Sequence, residues 1–242
     1  MIAARLSRLA HKWLALAVGM QLLLWAVSGF YMVVVDLDFI HGDSLVRNLK
    51  PAIDISGRFV PFDSLRRDRP DIRAIRLRAL PDDGAAVYEI VTAAGIELVD
   101  ARTGDTISPL PEARVVDLAR AYYAGSGDVV RATLIASEAD RPSELQSRWL
   151  PSWRVDFDDR LQTSLYVHAE SGALATRRHR FWRWFDFLWS LHIMDYRERV
   201  DVNNRLLLFA STLGAIALIS GLWLAWFSFG FFRRLRRMWA GP

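Results

Sequence analysis

The chain contains no cysteine, which excludes disulfides, zinc-thiolate sites, iron-sulfur clusters and covalent c-type haem attachment. Any redox role therefore falls to histidine or to a borrowed cofactor. Histidine is itself scarce, with five in 242 residues: His11, His41, His168, His179 and His192. Lysine is nearly absent as well, Lys12 and Lys50 being the only two, so arginine carries the positive charge. Paired catalytic carboxylates, nucleophile constellations and phosphate-cradling glycine loops are missing. Asp156, Asp158 and Asp159 form an acidic strand-to-turn run of the solvated kind, to which no metal is assigned.

Charge is also absent from two long apolar runs, 13–35 and 206–232, which contain no Asp, Glu, Lys, Arg or His. Each is longer than the ~20 residues an α-helix needs to cross a ~30 Å hydrocarbon core. Both are expected to span a membrane. A cleaved secretion signal is the other reading of the first run, but an h-region covers only ~7–15 residues and no A-x-A-like site follows Val35. Arg5, Arg8 and Lys12 precede the first run, and Arg233, Arg234, Arg236 and Arg237 follow the second. The positive-inside rule then places both termini in the cytoplasm and the middle across the membrane, since long loops translocate largely regardless of charge. The formal charge of +4 and the pI near 9.7 are accounted for by this topology, and nucleic acid is set aside.

Small residues form a stripe in each run: Ala15, Gly19, Ala26 and Gly29 in the first, Ala210, Gly214, Ala217 and Gly221 in the second. Such stripes let helix backbones approach in lipid, so Gly19, Gly29, Gly214 and Gly221 are expected at a helix contact. Gln21, the one amide of the first run, is placed to bond across it to Ser220 or Trp223.

The middle reads as short β patterns. Residues 72–80 alternate apolar and basic side chains, as a half-buried strand does, and Pro81-Asp82-Asp83-Gly84 ends the run. Strands at 87–92 and 96–99 follow, the latter running into Asp100-Ala101-Arg102-Thr103-Gly104-Asp105. Residues 112–124 have helical spacing, with Val115, Leu118, Ala119 and Tyr122 on one face. The order then recurs, with strands at 129–136, 153–157 and 163–168 leading into Ala169-Glu170-Ser171-Gly172. With 62–67 as the first helix, two helix-plus-three-strand units make an α+β domain of helices on antiparallel sheet. Chance similarity of two hairpins is the other reading.

The phrase from Ile96 to Gly104 resembles the hairpin of PepSY domains, where a strand runs into an Asp-x-x-Thr-Gly turn, and 166–174 is similar to a second copy with His168 in the Asp place. His11-Lys12-Trp13-Leu14 with Ser28-Gly29 resembles the opening helix of PepSY-associated membrane proteins. Leu191-His192-Ile193-Met194-Asp195-Tyr196, Asn203-Asn204 and Ser220-Gly221-Leu222-Trp223 resemble the approach to, and the body of, their closing helix. The resemblance implies a cytoplasmic start at 1–12, spans at 13–35 and 206–232, a periplasmic PepSY-like domain over 36–177, an aromatic connector over 178–205 and a cytoplasmic tail at 233–242. Larger relatives that reduce periplasmic ferric siderophores through membrane-bound haem resemble a four-helix core, from which this chain departs with two.

A b-type haem needs axial ligands at one depth. His11 belongs to the cytoplasmic edge and His192 to the outer side, so one chain cannot bring both to one iron. His41 and His192 are both outer, and His11 pairs only with a histidine of another subunit. Asp195, three residues beyond His192, is the expected carboxylate partner of its imidazole. The stretch 178–196 is dense in aromatics, with Phe181, Trp182, Trp184, Phe185, Phe187 and Trp189 among arginines. It suits a helix lying in the outer interface, with a stacking platform for flavin or haem as the sharper alternative. The expected function is a bacterial inner-membrane accessory component of periplasmic electron transfer or siderophore-iron reduction, working with a membrane or periplasmic partner or a second copy. The alternative is a non-catalytic, membrane-anchored binding module.

Overall fold

Absence of charge lets one helix run unbroken through the first apolar segment: α1 covers Ile2–Val34, about 50 Å at 1.5 Å per residue. The structure, a computed structural model, describes residues 2–228, with side chains from Lys12 to Leu222 apart from Leu14, Asp68 and Ser220. Within α1, Ala15–Val34 is long and apolar enough to cross a membrane. The second run forms α6, Arg205–Ser228. Its apolar portion over Arg205–Ile219 is shorter than a span among the described residues. The side chains of His11 and Trp223, the Ser220 side chain and the basic tail from Arg233 lie outside them.

The chain divides into two units, Val35–Trp184 and Met1–Val34 with Phe185–Pro242. In the first, α2 (Leu37–His41) and α3 (Phe62–Asp68) precede an antiparallel meander of β1 (Ala74–Ala79), β2 (Ala86–Val91) and β3 (Ile96–Asp100). Helix α4 (Glu112–Tyr122) leads into a second meander of β4 (Val129–Ile135), β5 (Ser152–Phe157), β6 (Ser164–His168) and β7 (Leu174–Arg178). The unit is α+β, with helices packed on two antiparallel sheets. The fourth strand of the second sheet was not anticipated. Its counterpart in the first is a single bridge, Val99 to Thr106.

The period-2 alternation of strands sorts the core. Leu98 of β3 and Leu165 and Val167 of β6 join Val115, Leu118 and Ala119 of α4 in one cluster fed by both sheets. Val99 and Ile90 point the other way, onto Leu65 of α3, and Tyr166 points onto Ile135 and Leu145.

The two turns match in detail. Asp100 Oδ1 accepts from the Arg102 and Thr103 amides, and the Gly104 amide donates to Asp100 O at 2.9 Å. In the second copy His168 Nδ1 accepts from the Ser171 amide at 3.3 Å, and the Gly172 amide donates to His168 O at 2.8 Å. Gly104 and Gly172 both have positive φ, 84° and 65°, which glycine adopts without steric cost. A Cβ on Gly172 would also stand 3.0 Å from Leu110 and Leu118. An imidazole nitrogen thus does in the second turn what a carboxylate does in the first.

The helical unit holds α1, α6 and the end of α5 (Arg180–Ile193). Helices α1 and α6 touch, but not through the expected glycines. Among the described residues a Cβ on Gly19, Gly214 or Gly221 would meet nothing within 4 Å, and of the four expected glycines only Gly29 has a close neighbour, His192 Cε1 at 3.5 Å. The small residues of α6 open a groove instead of closing a seam.

Candidate functional site

His192 is positioned by the turn that follows it. Met194 takes positive φ, 55°, and Asp195 accepts backbone N–H groups from Arg197, Glu198, Val200 and Asp201. Burial alone would raise the Asp195 carboxyl, but these four amides hold it below its ordinary range. Asn204 closes the construction: its Nδ2 donates to Ile193 O at 2.8 Å, and its Oδ1 accepts from the Leu207 amide, capping α6. Trp189 Nε1 donates to Arg199 O at 3.0 Å, and Arg199 pairs with Asp186. The end of α5 and the start of α6 are therefore fixed to each other before the imidazole makes any contact.

The partner of His192 is Ser28, not Asp195. Ser28 is 1% exposed. Its hydroxyl donates to Leu24 O at 2.7 Å, and His192 Nδ1 lies 2.9 Å from Ser28 Oγ. Assigning the serine's one proton to the Leu24 carbonyl makes Nδ1 the donor to Ser28 Oγ and leaves the lone pair on Nε2. Nε2 has no partner among the described residues and is not sealed in the interior. Gly29 lets the ring lie against the α1 backbone, and the Trp189 indole runs nearly parallel to it, 14° between planes at 6.5 Å. An imidazole held in one tautomer with Nε2 open is prepared to ligate a metal.

The other candidates are placed differently. His41 is exposed at the end of α2, in the α+β unit, where its ring and the Asp38 and Asp43 carboxylates lie within 4.8 Å of one another. Asp43 is already paired with Arg177. The α1 backbone at position 11 is seventeen residues from Ser28, about 25 Å along the axis, so His11 and His192 of one chain do not share an iron. His179 is fully buried, with Nε2 on the carbonyls of Phe39 and Ile40 at 3.0 and 3.1 Å and Nδ1 unpartnered. Asp158 and Asp159 are engaged locally: Asp158 accepts from the Asp128 amide, and Asp159 accepts from the Tyr123 hydroxyl and from Thr163. Burial and this carboxylate push Tyr123 up to about 12.

A second polar cluster was invisible in the sequence. Glu144, 8% exposed, accepts from Tyr166 Oη at 2.5 Å and from Arg183 at 2.8 and 3.1 Å. Arg183 also reaches Ser164 Oγ at 2.8 Å, and Ser164 donates to Asp156 at 2.6 Å. Both oxygens of Glu144 are occupied by protein groups, which marks a scaffold tying the start of α5 to the second sheet. Arg183 lies among the aromatics as an arginine of an interfacial helix would, so composition gave no hint of this role.

Of the groups that a b-type haem requires, the described residues of the helical unit offer one, His192 Nε2, which would hold the iron. The groove between α1 and α6 has a volume of ≈ 190 Å³, far too small to enclose a porphyrin. No second histidine side chain is described in this unit. A scan against protein-family models gave no match to this chain, and a search of curated proteins gave none.

Proposed function

We propose that the chain is a PepSY-type inner-membrane protein in which α1 and α6 cross the bilayer and the α+β unit stands in the periplasm. It serves as an accessory component of electron transfer or siderophore-iron reduction, in which His192 Nε2 would hold the iron of a b-type haem. The observation that supports this most is the held imidazole, with Nδ1 at 2.9 Å from Ser28 Oγ and Nε2 open. A bound haem iron supplies one-electron transfer. Ser28 holds the tautomer, Gly29 lets the ring approach α1, and Asn204 keeps α5 and α6 together so that Nε2 stays where it is aimed. The second ligand and the remaining walls come from another chain, either a membrane partner or a second copy. That is why the protein reads as an accessory and not as an autonomous enzyme.

A non-catalytic binding module has its own observation in its favour. The α+β unit carries a groove of ≈ 430 Å³ floored by Leu80, Val87, Ile107 and Leu110 and rimmed by Asp83, Asp100 and Arg114. The visible spectrum of protein purified from haem-replete membranes separates the two. A Soret band with α and β bands on reduction supports the haem reading, and colourless protein supports the module.

A further inference from the structure

We propose that the groove between α1 and α6 binds an isoprenoid quinone. Gln21 and Trp25 line the groove, and their donor atoms, Gln21 Nε2 and Trp25 Nε1, are buried with no partner among the described residues. They are one turn apart on the same face of α1, with Ser28 next along that face. Position 21 is six residues from the inner end of the Ala15–Val34 segment, and position 25 is nine from its outer end. Those separations correspond to about 9 and 13 Å of helix, so both donors stand within the hydrocarbon if α1 spans. An N–H without an acceptor is costly there, because the surrounding solvent offers none.

Depth and size identify the occupant. Phospholipid ester carbonyls and water belong to the interface, whereas a quinone brings carbonyl oxygens into the hydrocarbon. Cavities of about 150 Å³ lined by apolar side chains accept benzene, and at ≈ 190 Å³ this groove takes a substituted six-membered ring. Leu22, Phe209 and Leu213 supply apolar walls, and Gly214 keeps the space clear, since a Cβ there would meet nothing within 4 Å. Leu22 and Phe209 are also exposed at the rim, which leaves a path for the tail into lipid. The Gln21 amide turns about a soft terminal torsion, so its N–H reaches an acceptor in the groove without backbone change. This inference rests on α1 standing in the membrane and on nothing about haem.

The test uses the full-length protein in phosphatidylcholine nanodiscs, titrated with decylubiquinone and read by equilibrium partition. Wild type should bind saturably. Gln21→Leu and Trp25→Phe should each weaken binding about five- to tenfold, the worth of one hydrogen bond. Gly214→Leu, which fills the groove, should abolish it, and Leu222→Ala should leave it unchanged. Because Gly214→Leu can disturb folding, the two donor variants carry the test, with circular dichroism as the check. Absence of saturable binding in wild type overturns the proposal, as does unchanged binding in both donor variants. Loss of a dimer in Gln21→Leu, or a stoichiometric phospholipid that decylubiquinone does not displace, overturns it too, by assigning the donors to another occupant. Carbonate extraction keeps the failures apart: protein released from membranes refutes the two-span reading, and protein retained there without binding quinone refutes this inference alone.

Discussion

Removal of Arg183 is the sharpest test of what holds the α+β unit to the start of α5. Glu144 is 8% exposed and takes two bonds from Arg183, one from Tyr166, and a looser approach from Arg154 at 3.8 Å. Arg183→Ala leaves the carboxylate buried with the tyrosine alone at bonding distance. Breaking a fully buried pair costs about 3–5 kcal/mol. The Arg183 side chain is 31% exposed, and solvent screening brings the expected loss to about 2–3 kcal/mol. At about 2–4 °C per kcal/mol for 150–250 residues, the midpoint should fall by roughly 5–10 °C. Tyr166→Phe, which loses one bond to a charged acceptor, should cost about 1.5–3 kcal/mol. Replacing both partners, Arg183→Leu with Glu144→Leu, should recover much of the single-variant loss, because no buried charge is then stranded. Acid supplies a second readout. Burial pushes Glu144 up, but Arg183 and Tyr166 bring its carboxyl net below the ordinary value. The pair's stabilisation is therefore fully present above the unfolded carboxylate range and is lost as pH falls from there through the lower folded value. Thermal unfolding of the full-length protein in detergent, followed by near-ultraviolet circular dichroism, reads both effects. A midpoint for Arg183→Ala within about 1 °C of wild type would refute the reasoning.

His179 should impose a separate acid limb, because burial lowers its folded pKa while the unfolded value stays near 6.5. The unfolded chain takes up the proton first, so urea midpoints should fall as pH drops below about 6.5, and His179→Asn should flatten that slope. Gly29→Leu should displace the His192 ring, since even a Cβ there comes to 3.5 Å of Cε1. Haem uptake should fall while membrane insertion persists, and equal uptake would remove Gly29 from the site. Reporter fusions should give a cytoplasmic signal after Pro242 and a periplasmic one near Gly125. A periplasmic signal at Pro242 would exclude the two-span topology.

Local pattern made most of the α+β unit legible. Six expected strands and the α4 helix lie within a residue or two of their observed places, because alternation and turn residues agree there. Strand β7 escaped notice because Leu174–Arg178 is half-buried throughout and carries two arginines, so no alternation announced it. Long-range partners were not legible. Nothing in the spacing of Ser28 and His192 says that they meet, and Asp195 looked like the natural partner only because it is near in sequence. The glycine stripes show the same limit from the other side: small residues permit close approach, and at Gly214 the fold uses the permission to keep a groove open.

Ligation of a haem iron by His192 Nε2 is read most directly in the reduced-minus-oxidised difference spectrum of His192→Ala beside wild type, each purified from haem-replete membranes. Wild type should show the α and β bands of a b-type haem, and His192→Ala should lose them while remaining in the membrane fraction. A wild-type spectrum retained unchanged in His192→Ala would contradict the assignment and point to His11 across a subunit contact.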